Sequence, residues 1–284
     1  MSPVILSIVA LLVAIFSIQS GVSLAKQLFP LIGPDGATAL RLLFASIMLL
    51  TFWRPWRVKL DRRQTLRIIA YGLALGGMNL TFYYAVVRLP LGLTVALEFT
   101  GPLTVAFFSS RKPLDFLWAT LAVIGILLIL PLAPSEAPID LVGVILALVA
   151  GACWGLYIVF GKKAGEGVQS GIATSYGMLA ACILVFPVGA LHAGASLFSQ
   201  EVLPMALAVA FLSSALPYSL EMFALKRLPT PTFGILMSLE PAVAALSGLV
   251  FLGEHLSLSQ WLAILCIMLA SFGSAIGSAT PAKT

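Results

Sequence analysis

The stretch that decides the fold is residues 140–161, DLVGVILALVAGACWGLYIVFG, in which no charged residue follows Asp140. Its length matches the roughly 20 apolar residues that a helix needs to cross a membrane. A strand of a membrane barrel would be about ten residues long and would alternate apolar with polar side chains, which this stretch does not do. It therefore predicts a membrane-spanning helix.

Stretches of the same kind recur along the chain and account for most of its length. Together with residues 140–161, ten can be drawn. They cover approximately residues 4–24, 35–53, 66–87, 91–110, 115–132, 140–161, 171–191, 203–225, 232–252 and 259–279. The sequence therefore predicts an all-α integral membrane protein with ten transmembrane helices.

The composition excludes most other classes of protein. Of the 284 residues, 60% are apolar and only 10% are charged, and the mean hydropathy is +1.07. A soluble domain has about a quarter charged residues, so the chain lacks the polar surface of a soluble enzyme, a disordered chain or a nucleic-acid binder. Ten spans leave no room for a folded soluble domain, and membrane lipid is the expected surrounding.

The positions of the basic residues predict the orientation of the chain. If the N-terminus is cytoplasmic, thirteen of the sixteen Lys and Arg lie in cytoplasmic segments, whereas Lys26 and Arg88 lie in outer loops and Arg41 lies inside a span. Basic residues concentrate on the cytoplasmic side of membrane proteins. We therefore expect both termini to be cytoplasmic.

Two halves of the chain, residues 1–134 and 135–284, resemble each other. In each half an Arg-Leu-Pro triplet precedes a span with a Leu-Glu pair, and the glutamates of the two pairs, Glu98 and Glu240, are 142 residues apart. Because five spans per half is an odd number, the second half is predicted to insert upside down relative to the first. Such inverted repeats place a binding site near the middle of the membrane, between the halves. A duplicated scaffold without transport is the alternative.

Four ionisable residues fall inside the predicted spans: Arg41, Glu98, Glu221 and Glu240. An ionisable side chain in the membrane is costly unless it is paired or hydrated, so these residues are the first candidates for a substrate site. Arg41 and Glu98 are predicted to lie at a similar depth. A buried ion pair that only holds helices together is the alternative for these two, and snorkelling towards the membrane surface is the alternative for Glu221.

Polar side chains at similar depths complete the predicted site. Asn79 and Tyr83 lie close to the level of Arg41 in the first half, and Tyr157 and Tyr218 are their expected counterparts in the second. The same layer is predicted to include Gln19, Tyr84, Tyr176 and Ser238. The residues assigned to substrate binding are Arg41, Asn79, Tyr83, Glu98, Tyr157, Tyr218 and Glu240.

Two prolines lie next to the glutamates of the predicted site. Pro102 follows Glu98 by four residues, with Gly101 between them, and Pro241 directly follows Glu240. Proline removes a backbone donor and frees a carbonyl one turn earlier. Interrupted helices of this kind coordinate cations or ammonium groups in transporters, and kinks that serve only packing are the alternative.

No catalytic motif is present in the sequence. It lacks G-x-S-x-G, Walker A and H-E-x-x-H patterns, and neither histidine has further ligands nearby in sequence. The three cysteines lie in apolar stretches without CxxC spacing, which is typical of packing residues. We expect no enzymatic activity, cofactor, metal site or nucleic-acid partner.

Five segments of the chain form a specific combination. They are Ala96-Leu-Glu-Phe-Thr-Gly-Pro102, Ser109-Ser-Arg-Lys-Pro113, Ala215-Leu-Pro-Tyr-Ser-Leu-Glu-Met222, Arg227-Leu-Pro229, and Met237-Ser-Leu-Glu-Pro241 through Phe251-Leu-Gly-Glu254. Together they resemble the drug/metabolite transporter superfamily with its EamA-like repeats, and most of all its bacterial exporters of threonine and homoserine. The resemblance covers nearly all ten spans. It implies a bacterial inner-membrane protein of two inverted five-helix repeats that exports small metabolites in exchange for protons.

A small neutral amino acid is the predicted substrate, with its carboxylate at Arg41 and its ammonium at Glu98 or Glu240. A guanidinium matches a carboxylate with two parallel hydrogen bonds. Glu98 and Glu240 are the predicted proton carriers, and Glu240 is favoured because Arg41 near Glu98 would keep Glu98 ionised. The alternatives are a broad exporter of hydrophobic drugs with an aromatic pocket, and a receptor or scaffold without flux. A monomer or a homodimer is the expected working unit.

Overall fold

The computed structural model describes residues 3–110, 113–129, 139–225, 228, 233 and 236–279. Within these ranges every regular element is a helix and no strand occurs, which confirms the predicted all-α class. The basic residues of the orientation prediction that lie outside the described ranges are Arg111, Lys112, Lys226, Arg227 and Lys283.

The first helix, α1 (Pro3–Trp53), consists of two segments joined at Gly33. The backbone at Gly33 leaves helical geometry, with φ 71° and ψ 169°, and a positive φ of this kind favours glycine. Ser17 and Arg41 lie on opposite sides of this break, yet both hydrogen-bond residues 212–214. The chain therefore turns back at Gly33, and α1 contains the first and second predicted spans.

Four further helices lie in the described part of the first half: α2 (Arg62–Arg88), α3 (Leu91–Glu98), α4 (Thr100–Ser110) and α5 (Pro113–Ile129). A capping box starts α2, because the Asp61 carboxylate accepts from the Gln64 N–H and the Gln64 side chain accepts from the Asp61 N–H. The helices α3 and α4 are separated only by Phe99. The predicted span over residues 91–110 is therefore two short helices with a break directly after Glu98.

In the second half, the described residues include six helices with defined bounds: α6 (Leu141–Ala164), α7 (Ser170–Ala193), α8 (Val202–Ala210), α9 (Leu216–Leu225), α10 (Glu240–Leu252) and α11 (Leu258–Ala279). The Asp140 side chain caps α6 by accepting from the N–H groups of its first turn. Between α8 and α9 lies a π-helical turn, Phe211–Ala215. Residues 202–225 therefore form one helical path with a wider turn in its middle. Short 3-10 turns occupy Pro55–Arg57 and Gly194–Phe198.

Three helical stretches of the described chain are long and apolar enough to cross a membrane: Ile5–Trp53, Leu141–Ala164 and Gly171–Phe198. The first is 49 residues long, about twice the length of one crossing, in agreement with the reversal at Gly33. The other predicted spans coincide with helices that are shorter or more polar. The total of ten spans and the inverted repeat therefore remain predictions.

Glycines allow close approach where helices of the two halves cross. On α2, Gly72 lies so close to α7 that an added Cβ would be 2.6 Å from the Cβ of Ala180. Gly101, just after the break between α3 and α4, lies directly against the backbone carbonyl of Gly151 on α6. Small residues at helix crossings are typical of membrane proteins.

Large apolar side chains are exposed on the outside of the molecule. Leu191 is 84% exposed and Val250 is 72% exposed, and similar side chains lie along every long helix. Contiguous apolar surface of this extent is rare on a monomeric soluble protein. Lipid is the surrounding that would cover it.

Among the described residues, three ion pairs at one end of the molecule join the two halves of the chain. They are Lys26 with Glu254, Arg88 with Asp140, and Asp35 with His192 when that histidine is protonated. Glu254 also accepts a 2.7 Å hydrogen bond from the backbone N–H of Leu91, the first residue of α3. We call this the Glu254 end, and the predicted orientation places it outside the cytoplasm.

Candidate functional site

A cavity of about 560 Å³ lies between helices of both halves. This volume is within the range of small-molecule sites, about 300–1,000 Å³. About half of the lining residues are apolar, and the polar ones are Gln19, Arg41, Asn79, Glu98, Tyr157, Ser213, Tyr218, Glu221, Glu240, Ser271 and Ser274. Six of the seven residues assigned to substrate binding therefore line one cavity. The seventh, Tyr83, is fully buried behind Arg41.

The second segment of α1 positions Arg41, which is only 6% exposed. Its Nε donates to Ser214 Oγ at 3.2 Å, its Nη1 to Tyr83 Oη at 3.2 Å, and its Nη2 to the Ser213 carbonyl at 3.1 Å. The guanidinium carbon also lies 5.4 Å from the centre of the Tyr83 ring, within cation–π distance. The side chain is therefore held in one orientation at the cavity wall.

The contacts of Arg41 leave part of its guanidinium available. A guanidinium carries five N–H donors, and three of them are used by Tyr83, Ser213 and Ser214. The other two have no partner among the described residues. Both serines belong to the π-helical turn, and such turns are frequent at functional sites. Arg41 therefore offers donors to an anion in the cavity.

Glu240 and Gln19 form a second polar pair in the same cavity. Gln19 Nε2 donates to Glu240 Oε1 at 3.1 Å. Glu240 Oε2 and Gln19 Oε1 are buried, and neither has a hydrogen-bond partner within the described part of the chain. Buried acceptors are nearly always satisfied in folded proteins, so two adjacent unsatisfied acceptors indicate a place for a donor or a cation. Pro241, the second residue of α10, is buried beside them.

Glu98 lines the cavity as the last residue of α3, and it is 7% exposed. An ion pair with Arg41 was one expectation for this residue, but the structure does not form it. No Lys or Arg nitrogen of the described residues lies within 4 Å of Glu98, because the Arg41 guanidinium is drawn to Tyr83 and the π-helical turn instead. The Glu98 carboxylate therefore faces the cavity. Pro102, on the first turn of α4, also lines it.

The other predicted polar residues occupy different parts of the wall. Asn79 Nδ2 donates to the Leu75 carbonyl at 2.8 Å, which leaves its side-chain oxygen at the cavity. Tyr157 stacks on Tyr71, with ring centres 4.8 Å apart, and Tyr218 lines the same wall. The wider polar layer is only partly correct, since Tyr176 packs in a cluster around buried Tyr71 rather than at the cavity.

Several lining residues were missing from the assignment to substrate binding. Glu221 is a predicted candidate for the site and Gln19 a member of the predicted polar layer, but neither is among the seven residues assigned to substrate binding, and the lining residues Ser213, Ser271 and Ser274 are not predicted at all. The sequence signal for the π-helical turn is Pro217, which has no N–H to donate to the Ser213 carbonyl four residues earlier, and Arg41 donates to that carbonyl instead.

Comparison with known proteins identifies relatives along nearly the whole chain. The profile of the EamA-like transporter family matches residues 141–276. The threonine/homoserine exporter RhtA of Escherichia coli (strain K12) is 54% identical over 275 residues, which cover 96% of this chain and 92% of that protein. RhtA of Salmonella typhimurium (strain LT2) is similar to the same extent. A solved crystal structure with 18% identity covers 97% of both chains with a TM-score of 0.60, which shows a shared fold.

These relatives are transporters rather than enzymes, and the similarity extends over both halves that enclose the cavity. The helical fold, the lipid-facing apolar surface and the buried charged residues agree with that class. The chain belongs to the EamA-like transporter family.

Proposed function

We propose that this transporter exports small neutral amino acids, with threonine and homoserine first among them. The observation that carries the proposal is one cavity in which donors on Arg41 and acceptors on Gln19 and Glu240 have no partner within the described part of the chain. An amino acid presents the complementary groups, a carboxylate and an ammonium, on the same carbon atom. The similarity to proteins named threonine/homoserine exporter supports the choice of side chain.

In the proposed complex the carboxylate binds the two free N–H groups of Arg41. Such bonds are charge-assisted and bidentate, which makes them both strong and directional. The ammonium binds Glu240 Oε2 together with Gln19 Oε1, or the Glu98 carboxylate. Asn79, Tyr157 and Tyr218 then offer hydrogen bonds to the side-chain hydroxyl that threonine and homoserine have in common.

Proton entry drives export in this proposal, with Glu240 as the preferred carrier. Its recorded hydrogen-bond partner is the neutral amide of Gln19, and no cation of the described chain lies within 4 Å. A carboxylate in this setting binds either a proton or the substrate ammonium. Substrate that enters from the cytoplasm displaces the proton to that side, and a proton from outside displaces the substrate after the cavity has opened there.

The proposed topology has ten spans in two inverted five-helix repeats, residues 1–134 and 135–284. Both termini are cytoplasmic, and the membrane is the inner membrane of a bacterium. The cavity receives lining residues from both halves, which supports this arrangement because inverted repeats place their site at the interface. One chain supplies the lining, so a monomer suffices for transport, and a homodimer would carry two sites.

Counterflow of labelled threonine in liposomes with the purified protein tests the function. We expect uptake that requires internal threonine or homoserine, that a pH gradient accelerates, and that Glu98→Gln abolishes. Competition separates the proposal from a broad drug exporter: excess homoserine should block the label, whereas a lipophilic cation should not. Absence of threonine counterflow by folded protein would contradict the proposed substrate.

A further inference from the structure

A second cavity, of about 450 Å³, lies where α2 begins and α6 ends. Its lining residues are Arg63, Leu66, Arg67, Ala70, Phe160 and Lys163. The four residues from α2 recur at helical spacing and therefore share one face, which lies beside the last turns of α6. We call this cavity the basic groove. It combines three cationic side chains with apolar ones.

The basic groove keeps a net positive charge. Arg67 Nη1 lies 2.9 Å from Glu166 Oε2 and 3.2 Å from the Lys163 carbonyl, so this one cation is paired and fixed in position. Arg63 and Lys163 are exposed, and neither has a carboxylate within 4 Å among the described residues. Two cations are therefore available to one anion, in a cavity that is separate from the substrate site.

An apolar surface continues from the groove along both helices. On α2, Leu66 is 58% exposed and Leu73 is 46% exposed, and on α6 Leu156 is 49% exposed. These positions follow the helical spacing away from the charged end and towards the middle of the membrane. A ligand with its anion in the groove would lie with any apolar part along this surface. An amphipathic anion therefore fits better than a soluble one.

We propose that the basic groove binds an anionic phospholipid, with its phosphodiester between Arg63 and Lys163 and an acyl chain along Leu66 and Leu73. Basic pockets between membrane helices are suited to anionic headgroups. The predicted orientation places the groove at the cytoplasmic surface. Because α2 and α6 belong to different halves, a lipid bound here links the halves at the end opposite Glu254.

Thermal unfolding of the purified full chain in neutral detergent tests this site. The probes are phosphatidylglycerol, phosphatidylcholine with the same acyl chains, and inorganic phosphate alone. We expect phosphatidylglycerol to raise the melting temperature of the wild type more than phosphatidylcholine does. The double variant Arg63→Gln/Lys163→Gln should bind phosphatidylglycerol about 25-fold more weakly, since each basic residue near an anionic lipid surface contributes roughly fivefold.

A matched control separates the groove from general surface charge. Arg57 and Lys59 are exposed and lie just before α2, so Arg57→Gln/Lys59→Gln removes the same charge from the same end of the molecule. This control should keep the response to phosphatidylglycerol. Equal responses to the two lipids, or an equal loss in the control, would overturn the proposal. A full response to inorganic phosphate would overturn it as well, because the site would then bind free anions.

Discussion

At the scale of single residues, Arg41 is oriented by three contacts that require a planar guanidinium. We expect Arg41→Lys to raise the KM for threonine in counterflow by about 10- to 100-fold, because charge-assisted hydrogen bonds of roughly 1.5–3 kcal/mol each are lost while the charge remains. The control is Arg57→Lys in the exposed turn before α2, which should leave the KM unchanged. An unaltered KM in Arg41→Lys would mean that Arg41 only holds helices together.

The roles of Glu98 and Glu240 should become distinguishable when each glutamate is changed to glutamine. In Glu240→Gln the new amide keeps a hydrogen bond to Gln19 but neither binds nor releases a proton near neutral pH, so threonine counterflow should stay within about tenfold of wild type. Acceleration by a pH gradient should be lost. In Glu98→Gln both activities should fail.

Exposed Glu166 provides the control for these two variants, since Glu166→Gln changes the same chemistry at the surface. Its counterflow and its response to the pH gradient should both match wild type. If Glu240→Gln lost counterflow and pH-driven transport to the same degree, the division of roles between the glutamates would be wrong.

The sequence was most informative about the site where polarity is costly. Arg41, Glu98 and Glu240 stand out because an ionisable group in a membrane helix requires compensation. Gln19 and Ser213 do not stand out in this way. The Ser213 hydroxyl donates to the Val209 carbonyl within its own helix at 2.6 Å, so it needs no distant partner. Gln19 and Ser213 contribute to the site only because their helices pack beside Glu240 and Arg41, and the sequence does not predict this packing.

At the scale of helices, the break between α3 and α4 depends on its contact with α6. We expect Gly101→Ala to lower the melting temperature and to weaken threonine binding, because an added Cβ would overlap the Gly151 carbonyl and such overpacking costs about 1–3 kcal/mol. The direction in which the melting temperature of Gly101→Ala changes is informative. Alanine stabilises an unobstructed helix by about 1 kcal/mol relative to glycine, so an increase in melting temperature would contradict the contact.

Gly165→Ala is the matched control for this substitution. At the C-terminal end of α6, an added Cβ at Gly165 meets no atom of the described chain closer than 3.5 Å. Its melting temperature should therefore not fall below that of the wild type, and its threonine affinity should be unchanged.

Helix interruptions were predictable from sequence only where proline or glycine causes them. Pro102 cannot donate to the Glu98 carbonyl, and the structure has its break at Phe99, where that carbonyl packs against Gly151. The turn at Gly33 likewise falls in the predicted loop between two spans. The π-helical turn at Phe211–Ala215 also precedes a proline, since Pro217 cannot donate to the Ser213 carbonyl four residues earlier. Its wider geometry coincides with contacts from Arg41 and Ser17, which come from another helix.

At the scale of the whole molecule, the cavity lies between the two halves, and the ion pairs of the Glu254 end lie beyond one end of it. The cavity lining reaches Val105, Ile158 and Ser274, each within two turns of the helix end that faces away from the Glu254 end. In the other direction it reaches Val22, one turn before Lys26. The Lys26–Glu254 pair therefore lies across the Glu254 end of the cavity and links α1 to the second half.

The proposed exchange of substrate and proton across the membrane predicts that this link breaks when the Glu254 end opens. The Glu254 side chain is 14% exposed and bridges Lys26 and the Leu91 N–H. The substitution Glu254→Gln removes its negative charge and leaves the size and shape of the side chain nearly unchanged. The reporter is a single cysteine introduced as Val22→Cys, with the native cysteines replaced. We expect this cysteine to react about 5- to 30-fold faster with a membrane-impermeant thiol reagent from that side when Glu254→Gln is added. This factor corresponds to the loss of about 1–2 kcal/mol of stability of the closed state. Asp140→Asn is the control at the same end.

The control removes a more exposed pair, in which Arg88 is 46% and Asp140 is 33% exposed. Exposed pairs contribute little, and asparagine caps a helix as well as aspartate does, so Asp140→Asn should leave the labelling rate within about twofold of wild type. If both variants accelerated labelling equally, general charge at this end rather than the Glu254 link would control opening. If neither did, the closed state would depend on apolar packing between the halves, and the ion pairs would only accompany it.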